Sequence, residues 1–150
     1  MTQTTTRKIG IIAAVLTMLA LTITMVAAGN AHFVGTPTLS TSGVVSAKVA
    51  GLGNIDQIFI VVSADAQCVN PGHNKPAAGN KQTVSATGTA PVQNGKADIK
   101  NIQLTATFSP DCSPPMTVVW SNLTIQVYNA VWDPNTQTWV QGSDLLAQYP

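Results

Sequence analysis

The segment formed by residues 1–31 constrains this chain more than any later part of it. Arg7 and Lys8 form a short positive start, the stretch from Ile9 to Ala28 carries no charge and is almost wholly apolar, and small residues close it. This order of charged, apolar and small residues is typical of an export signal. It predicts that the segment from His32 to Pro150 folds in an oxidising compartment, as a secreted or cell-surface domain.

The end of this leader has more than one interpretation. Cleavage after Ala28 and cleavage after Ala31 both place small residues at the two positions that signal cleavage needs. The uncharged stretch is also long enough to cross a hydrocarbon core of about 30 Å as a helix. An uncleaved anchor, which would be the only membrane contact of the protein, therefore stays open.

Lysine and aspartate supply all the charge between His32 and Pro150, with five lysines, six aspartates and neither arginine nor glutamate. A nucleic-acid-binding surface needs clustered basic residues that displace counterions from phosphates, and scattered lysines do not predict one. The chain is 45% hydrophobic with a formal net charge of +1, which favours folding over disorder. We expect one folded domain and no nucleic-acid partner.

Short segments rich in Val, Ile and Thr alternate with Gly, Pro and Asn turns, and no window keeps an apolar stripe at helical spacing. Thr36 to Ser40, Val44 to Ala50 and Ile55 to Ala64 are predicted strands. The third is predicted to be central, because Ile58 to Val62 is apolar on both faces. The stretch from Cys68 to Asn80 is too rich in turn residues for a strand and is predicted to be an exposed loop.

Alternation with a period of two predicts further strands. Val84 to Val92 is one of them, and Asn94-Gly95 then favours a type I′ turn that reverses the chain into Ala97 to Phe108. In the strand from Val119 to Tyr128, the odd-numbered residues are predicted to face the core and Trp120 to face outward.

The last apolar stretch, Val131 to Val140, is predicted to be a terminal hairpin with its turn near Asp133 to Gln137 and its tryptophans in cross-strand contact. Roughly seven or eight strands with turns at regular spacing are typical of a sandwich. The predicted fold is all-β: a two-sheet Greek-key, immunoglobulin-like sandwich with one disulfide, preceded by the hydrophobic signal segment.

The chain resembles a family of small exported microbial proteins without assigned function. The resemblance runs over nearly all of the segment from His32 onward. It rests on Ala31-His32-Phe33-Val34, Ala50-Gly51-Leu52-Gly53, Ser63-Ala64-Asp65-Ala66, Cys68-Val69-Asn70-Pro71-Gly72-His73-Asn74-Lys75-Pro76, Asn80-Lys81, Asn94-Gly95 and Cys112. In that family a glycine usually stands where this chain has His73, which argues against a shared metal ligand there. The resemblance implies an exported domain and no activity.

Two cysteines in an exported chain are most simply one bridge, so Cys68 and Cys112 are predicted to form a disulfide between two loops. The alternative is a thiolate metal site, but zinc needs two more ligands and only His73 is near in sequence. A copper site is a separate hypothesis. Cleavage after Ala31 would give His32 a free amine, and that amine and the two imidazoles of His32 and His73 suit Cu(II).

Trp120, Trp132 and Trp139 are the candidate ligand-binding residues, since exposed flat rings on a sandwich can stack on sugars. The competing interpretation is a small hydrophobic cluster beneath the terminal hairpin. Asn122-Leu123-Thr124 is a glycosylation sequon whose asparagine points off the core face. No catalytic motif is present: the aspartates are scattered and no Gly-x-Ser-x-Gly elbow occurs.

The sequence therefore predicts a non-catalytic structural or binding module at or outside the cell surface, with no cofactor. A carbohydrate-binding module that uses the tryptophans and a copper site at a processed His32 are the alternatives. The expected partners are a cell-envelope glycan or further copies of the chain, because edge strands of low charge are open to pairing.

Overall fold

The computed structural model describes residues 30–72 and 80–150, which form an all-β domain. The strands in chain order are β1 (His32–Phe33), β2 (Thr38–Leu39), β3 (Val44–Ala50), β4 (Gln57–Val69), β5 (Lys81–Pro91), β6 (Lys96–Gln103), β7 (Thr117–Asp133) and β8 (Thr138–Tyr149). They belong to two sheets, in which all paired strands are antiparallel. The prediction of an all-β, two-sheet domain is confirmed.

The first sheet is built around β3, which pairs with β6 along one edge and with β1 and β2, one after the other, along the opposite edge. The second sheet has the order β5-β4-β7-β8. The chain passes between the sheets after β3, after β5 and after β6. Consecutive parts of the chain therefore lie on opposite sides of one core.

The strand β4 supplies the centre of that core. Its alternate residues Ile58, Ile60 and Val62 are fully buried, whereas Phe59 and Val61 on its outer face are half-buried. This is the alternation that a strand with one face against a core requires. Both sheets contribute to the same cluster, which also contains Val45, Val49, Leu52, Ile99, Leu104, Ile125 and Val127.

The Asn94-Gly95 turn is a corner between the sheets. Both residues have positive φ, 52° and 70°, so the predicted turn is confirmed. The strands that it joins pair with different partners, β5 with β4 and β6 with β3, and only the isolated bridge Gln93↔Lys96 connects them directly. Each strand can thereby turn its apolar face to the common core, with Gly88 lying close to Ile102 across it.

Two predicted strand ends are displaced. β4 continues to Val69, so Cys68 lies in a strand and not in the predicted loop, because Ala66 and Cys68 extend the buried alternation and β7 pairs with them. Residues 73–79 of the predicted loop lie outside the described residues. β6 ends at Gln103, although Leu104 and Phe108 beyond it still face the core as predicted.

A bulge in β7 reverses which side chains face the core. Asn122 has a φ of 52°, and the pairing of β7 with β4 shifts at the same point. Because a bulge adds one residue to one strand, the inward residues change parity across it. Ile125 beyond the bulge is buried, whereas Val119 before it is 47% exposed and Trp120 packs on the core. The prediction that Val119 faces in and Trp120 faces out is wrong.

The two ends of the described domain meet. Phe33 in β1 contacts Tyr149 in β8 with the ring centroids 5.8 Å apart in an edge-to-face arrangement. Ala31, just before β1, is half-buried and packs against the main core. The strand β1, which the sequence patterns do not predict, therefore ties the start of the domain to its last strand.

Candidate functional site

The candidate site is the free end of the β7–β8 hairpin, residues 130–141, which we call the hairpin tip. β4 pairs with β7 only as far as Ile58↔Asn129. The pairs Ala130↔Gln141, Val131↔Val140, Trp132↔Trp139 and Asp133↔Thr138 continue beyond that point. The tip is therefore a two-stranded extension past the sheet that carries it.

The turn at the end of the tip is organised by Asp133. Its carboxylate accepts hydrogen bonds from the backbone N–H of Asn135 and from the hydroxyl of Thr136, each at 2.9 Å. These bonds lower the pKa of Asp133 from its ordinary value, with the larger effect from the Asn135 N–H. Aspartate is common in turns for this reason, and the bonds fix the register of the strands that follow.

Trp132 and Trp139 form a cross-strand pair. Their ring centroids are 5.4 Å apart, the rings are inclined by 67°, and Trp132 is 49% exposed. Edge-to-face contact is a favourable geometry for aromatic pairs, and one large ring surface is left open to solvent. The predicted hairpin and its tryptophan contact are confirmed.

The other side of the tip is apolar as well. Val131 and Val140 are opposite each other, 48% and 37% exposed, and their side chains point away from the tryptophan pair because neighbouring residues of a strand face opposite ways. A folded domain gains nothing from exposing three large apolar side chains, Val131, Trp132 and Val140, at one end. Such a concentration is typical of a contact surface.

Trp120, the third candidate tryptophan, belongs to the interior. It packs against both core clusters, and its indole N–H donates to the backbone carbonyl of Thr41 at 3.1 Å. Gly43 gives it room, since a Cβ there would lie 2.9 Å from the indole ring. The three tryptophans therefore do not form one surface. Asparagine adopts the left-handed backbone conformation more readily than most residues. The asparagine at position 122 is therefore the only sequence signal of the bulge that turns Trp120 inward.

The disulfide joins Cys68 at the end of β4 to Cys112 in the loop between β6 and β7. Its environment is the second core cluster, where Ala66, Cys68 and Phe108 are buried and Met116 packs against them. The predicted bridge is confirmed, and it holds the loop before β7 against the end of the sandwich opposite the hairpin tip.

Asn122, the sequon residue, belongs to a polar group on the outer face of the second sheet. Its side-chain amide donates to Asp65 at 2.7 Å, and Thr83 donates to the other carboxylate oxygen at 2.6 Å. The sequon hydroxyl of Thr124 contacts that of Ser63 at 2.6 Å. The hydrogen bonds from Thr83 and Asn122, with the larger effect from Thr83, lower the pKa of Asp65 from its ordinary value. Glycosylation of Asn122 stays a prediction.

The lowered pKa of Asp65 gives a pH dependence with a definite sign. A carboxylate whose pKa is lower in the folded state stabilises the fold above its ordinary pKa of about 4 and loses that effect as the pH falls through the folded-state pKa. We expect Asp65→Asn to be less stable than the native protein near neutral pH, with the difference shrinking in acid. Urea midpoints at about pH 7 and about pH 3 measure this. Asp144→Asn in β8 is the control, and an unchanged gap would contradict the expectation.

The candidate metal ligands are not brought together within the described residues. His32 is exposed, and its Nδ1 lies 2.7 Å from the carbonyl oxygen of Asn30. His73 lies outside the described residues. Residues 30–72 and 80–150 contain no cluster of three or more side chains able to hold a metal ion. The same ranges contain no helix with the length and apolar character to cross a bilayer.

Neither a protein-family model nor a curated protein nor a solved structure matches the chain.

Proposed function

We propose that the protein is an exported, non-catalytic binding module that makes contact through its hairpin tip. One observation carries the proposal: the tip extends beyond its own sheet and exposes Val131, Trp132 and Val140 where no strand of the described domain covers them. Fold stability does not require this exposure, because the buried core lies in the sandwich. A partner that covers the tip would remove this apolar surface from water.

The strand orders support an immunoglobulin-like Greek-key sandwich as the framework of this module. In that fold the chain alternates between a sheet ordered A-B-E-D and a sheet ordered C-F-G, to which some members add a strand C′ beside C. In the first sheet, β1 and β2 together correspond to A, β3 to B and β6 to E. In the second sheet, β5-β4-β7-β8 corresponds to C′-C-F-G. The strand orders then agree, except that strand D is missing. The F–G hairpin end, here the hairpin tip, is a binding loop in variable domains of that fold.

The disulfide and the leader support a location outside the cytoplasm, secreted or at the cell surface. Disulfides persist in oxidising compartments, and an apolar leader with a positive start delivers a chain to them. The described residues next to the leader favour cleavage after Ala28. Ala31 packs on the core and the Asn30 carbonyl contacts His32, and cleavage after Ala31 would remove both. Cleavage after Ala28 would leave the nitrogen of His32 in a peptide bond, which disfavours the copper hypothesis.

A carbohydrate ligand is the second candidate for the tip, because the open ring of Trp132 is a surface on which a sugar can stack. The platform then consists of Trp132 and Trp139 without Trp120. A further copy of the chain is the other occupant to consider, since β8 is an edge strand. Binding of Trp132→Ala and of the native protein to a glycan array tests the carbohydrate ligand. Light scattering tests association with a further copy of the chain.

We expect Trp132→Ala to reduce binding to the host's isolated cell envelope by about tenfold or more, as removal of an aromatic anchor does. Its cost to folding should be only about 1 kcal/mol, the size of one aromatic pair. Sedimentation of the protein with envelope fragments measures the binding, and urea unfolding measures the stability. Val119→Ala is the matched control, since Val119 is similarly exposed but lies on the sandwich. Equal binding by Trp132→Ala and the native protein would refute the proposed surface.

A further inference from the structure

Three of the four lysines in the described residues gather on the outer face of the first sheet. Lys48 lies in β3, and Lys96 and Lys100 lie in β6; all three are exposed and alternate with buried residues. The pairing of β3 with β6 places Lys48 opposite Asp98 and Lys96 opposite Ala50. We call Lys48, Lys96, Lys100 and Asp98 the basic face.

The charge of the domain is divided between its two sides. Three lysines and one aspartate give the basic face a side-chain charge of +2, whereas one lysine and five aspartates leave the other described residues at −4. Asp98 pairs with Lys100 at 3.0 Å, and both side chains are exposed. A surface pair of this kind is worth little, so an anionic partner can compete for Lys100.

A shallow trough of about 430 Å³ crosses this face between β2 and β6. Hydroxyl and amide groups line it beside the charges: Thr36, Thr38, Ser46 and Asn101 accompany Lys48 and Lys100. Val34, which is 51% exposed, lies at the same trough. Sugar hydroxyls can hydrogen-bond to such side chains, and carboxylates can pair with the ammonium groups.

We propose that the basic face binds an acidic polysaccharide, a polymer of uronic-acid type, along this trough. The neutral hydroxyls of the polymer contact the threonine, serine and asparagine side chains, and its carboxylates contact the lysines. Duplex nucleic acid fits less well, because it needs a denser set of basic residues than three lysines beside an aspartate. An anionic membrane fits less well too, because Val34 alone offers apolar surface for insertion.

The test is binding of polygalacturonate to protein that is expressed with its own leader and recovered after export. Neutral dextran, vesicles with anionic phospholipid and duplex DNA are the comparison probes. We expect polygalacturonate alone to bind, with the affinity falling as salt rises from about 0.05 M to about 0.5 M. The double variant Lys48→Gln/Lys100→Gln should bind roughly tenfold more weakly, and Asp98→Asn should bind roughly threefold more tightly. Lys48→Arg/Lys100→Arg should retain binding.

Lys81→Gln removes a lysine that is also exposed but lies on β5, outside the basic face, and is the matched control. Equal weakening by Lys81→Gln would indicate a response to net charge alone and overturn the proposal. Equal or tighter binding of vesicles or DNA would overturn the polymer class. Absence of polygalacturonate binding at low salt would overturn the proposal that the basic face binds an acidic polysaccharide. None of these outcomes bears on the hairpin tip, which lies on the other sheet.

Discussion

Replacing both cysteines, as Cys68→Ala/Cys112→Ala, is expected to lower the free energy of unfolding by about 4 kcal/mol. The bridge closes a loop with a sequence separation of 44, and a cross-link of that length removes much of the freedom of the unfolded chain. Net stabilities of small domains are about 5–15 kcal/mol, so this is a large share of the total. The end of β4 and the loop before β7 should loosen first.

Urea unfolding followed by tryptophan fluorescence measures this effect in the native protein and in the variant, each with and without reductant. Reductant should bring the native protein close to the variant and leave the variant unchanged. This second comparison separates the bridge from the small loss of packing at Cys68, which is 3% exposed. A variant as stable as the oxidised native protein would show that the bridge contributes nothing.

Trp120→Ala is expected to cost about 3 kcal/mol, the range found when a large core aromatic is removed. The indole fills space between both core clusters and satisfies the Thr41 carbonyl. Trp120→Phe keeps part of the ring volume but removes the indole N–H donor, so it should cost less. Folded Trp120→Ala and folded Trp120→Phe should both bind the cell envelope as the native protein does.

Trp120→Ala and Trp132→Ala are expected to have opposite effects on stability and on binding. Trp120→Ala affects stability and leaves binding intact, whereas Trp132→Ala affects binding and costs little stability. Chemical unfolding and envelope sedimentation on the same preparations measure both. A Trp120→Ala variant with native stability would contradict the inward position of that indole and the bulge at Asn122 behind it.

Local patterns were sufficient for most of the fold. Alternating apolar residues identify the stretches that become β3, β4, β5 and β7, and Asn94-Gly95 identifies a reversal, because each signal depends on neighbours within a few residues. The two cysteines and the leader together predict the bridge. The tryptophan pair follows from the positions of Trp132 and Trp139, which are nearly symmetric about the predicted turn from Asp133 to Gln137.

Features that depend on distant parts of the chain were not predictable in this way. Whether the strand after Gly95 pairs with β5 or crosses to the other sheet depends on β3, which is far away in sequence. One bulge residue, Asn122, reverses the face of Trp120, and a period-two pattern cannot register that reversal. The basic face likewise exists only because β3 and β6 pair, which brings Lys48 beside residues that follow it by about fifty positions.

The central claim is an oxidised, exported sandwich, and one measurement tests it most directly. Native protein from separate cell fractions is alkylated before any reductant is added, and its intact mass and N-terminal residue are determined. We expect it outside the cytoplasm, with neither Cys68 nor Cys112 alkylated and with a chain that begins at Gly29. Recovery of the full-length chain in the cytosol, with both cysteines alkylated, would contradict the claim.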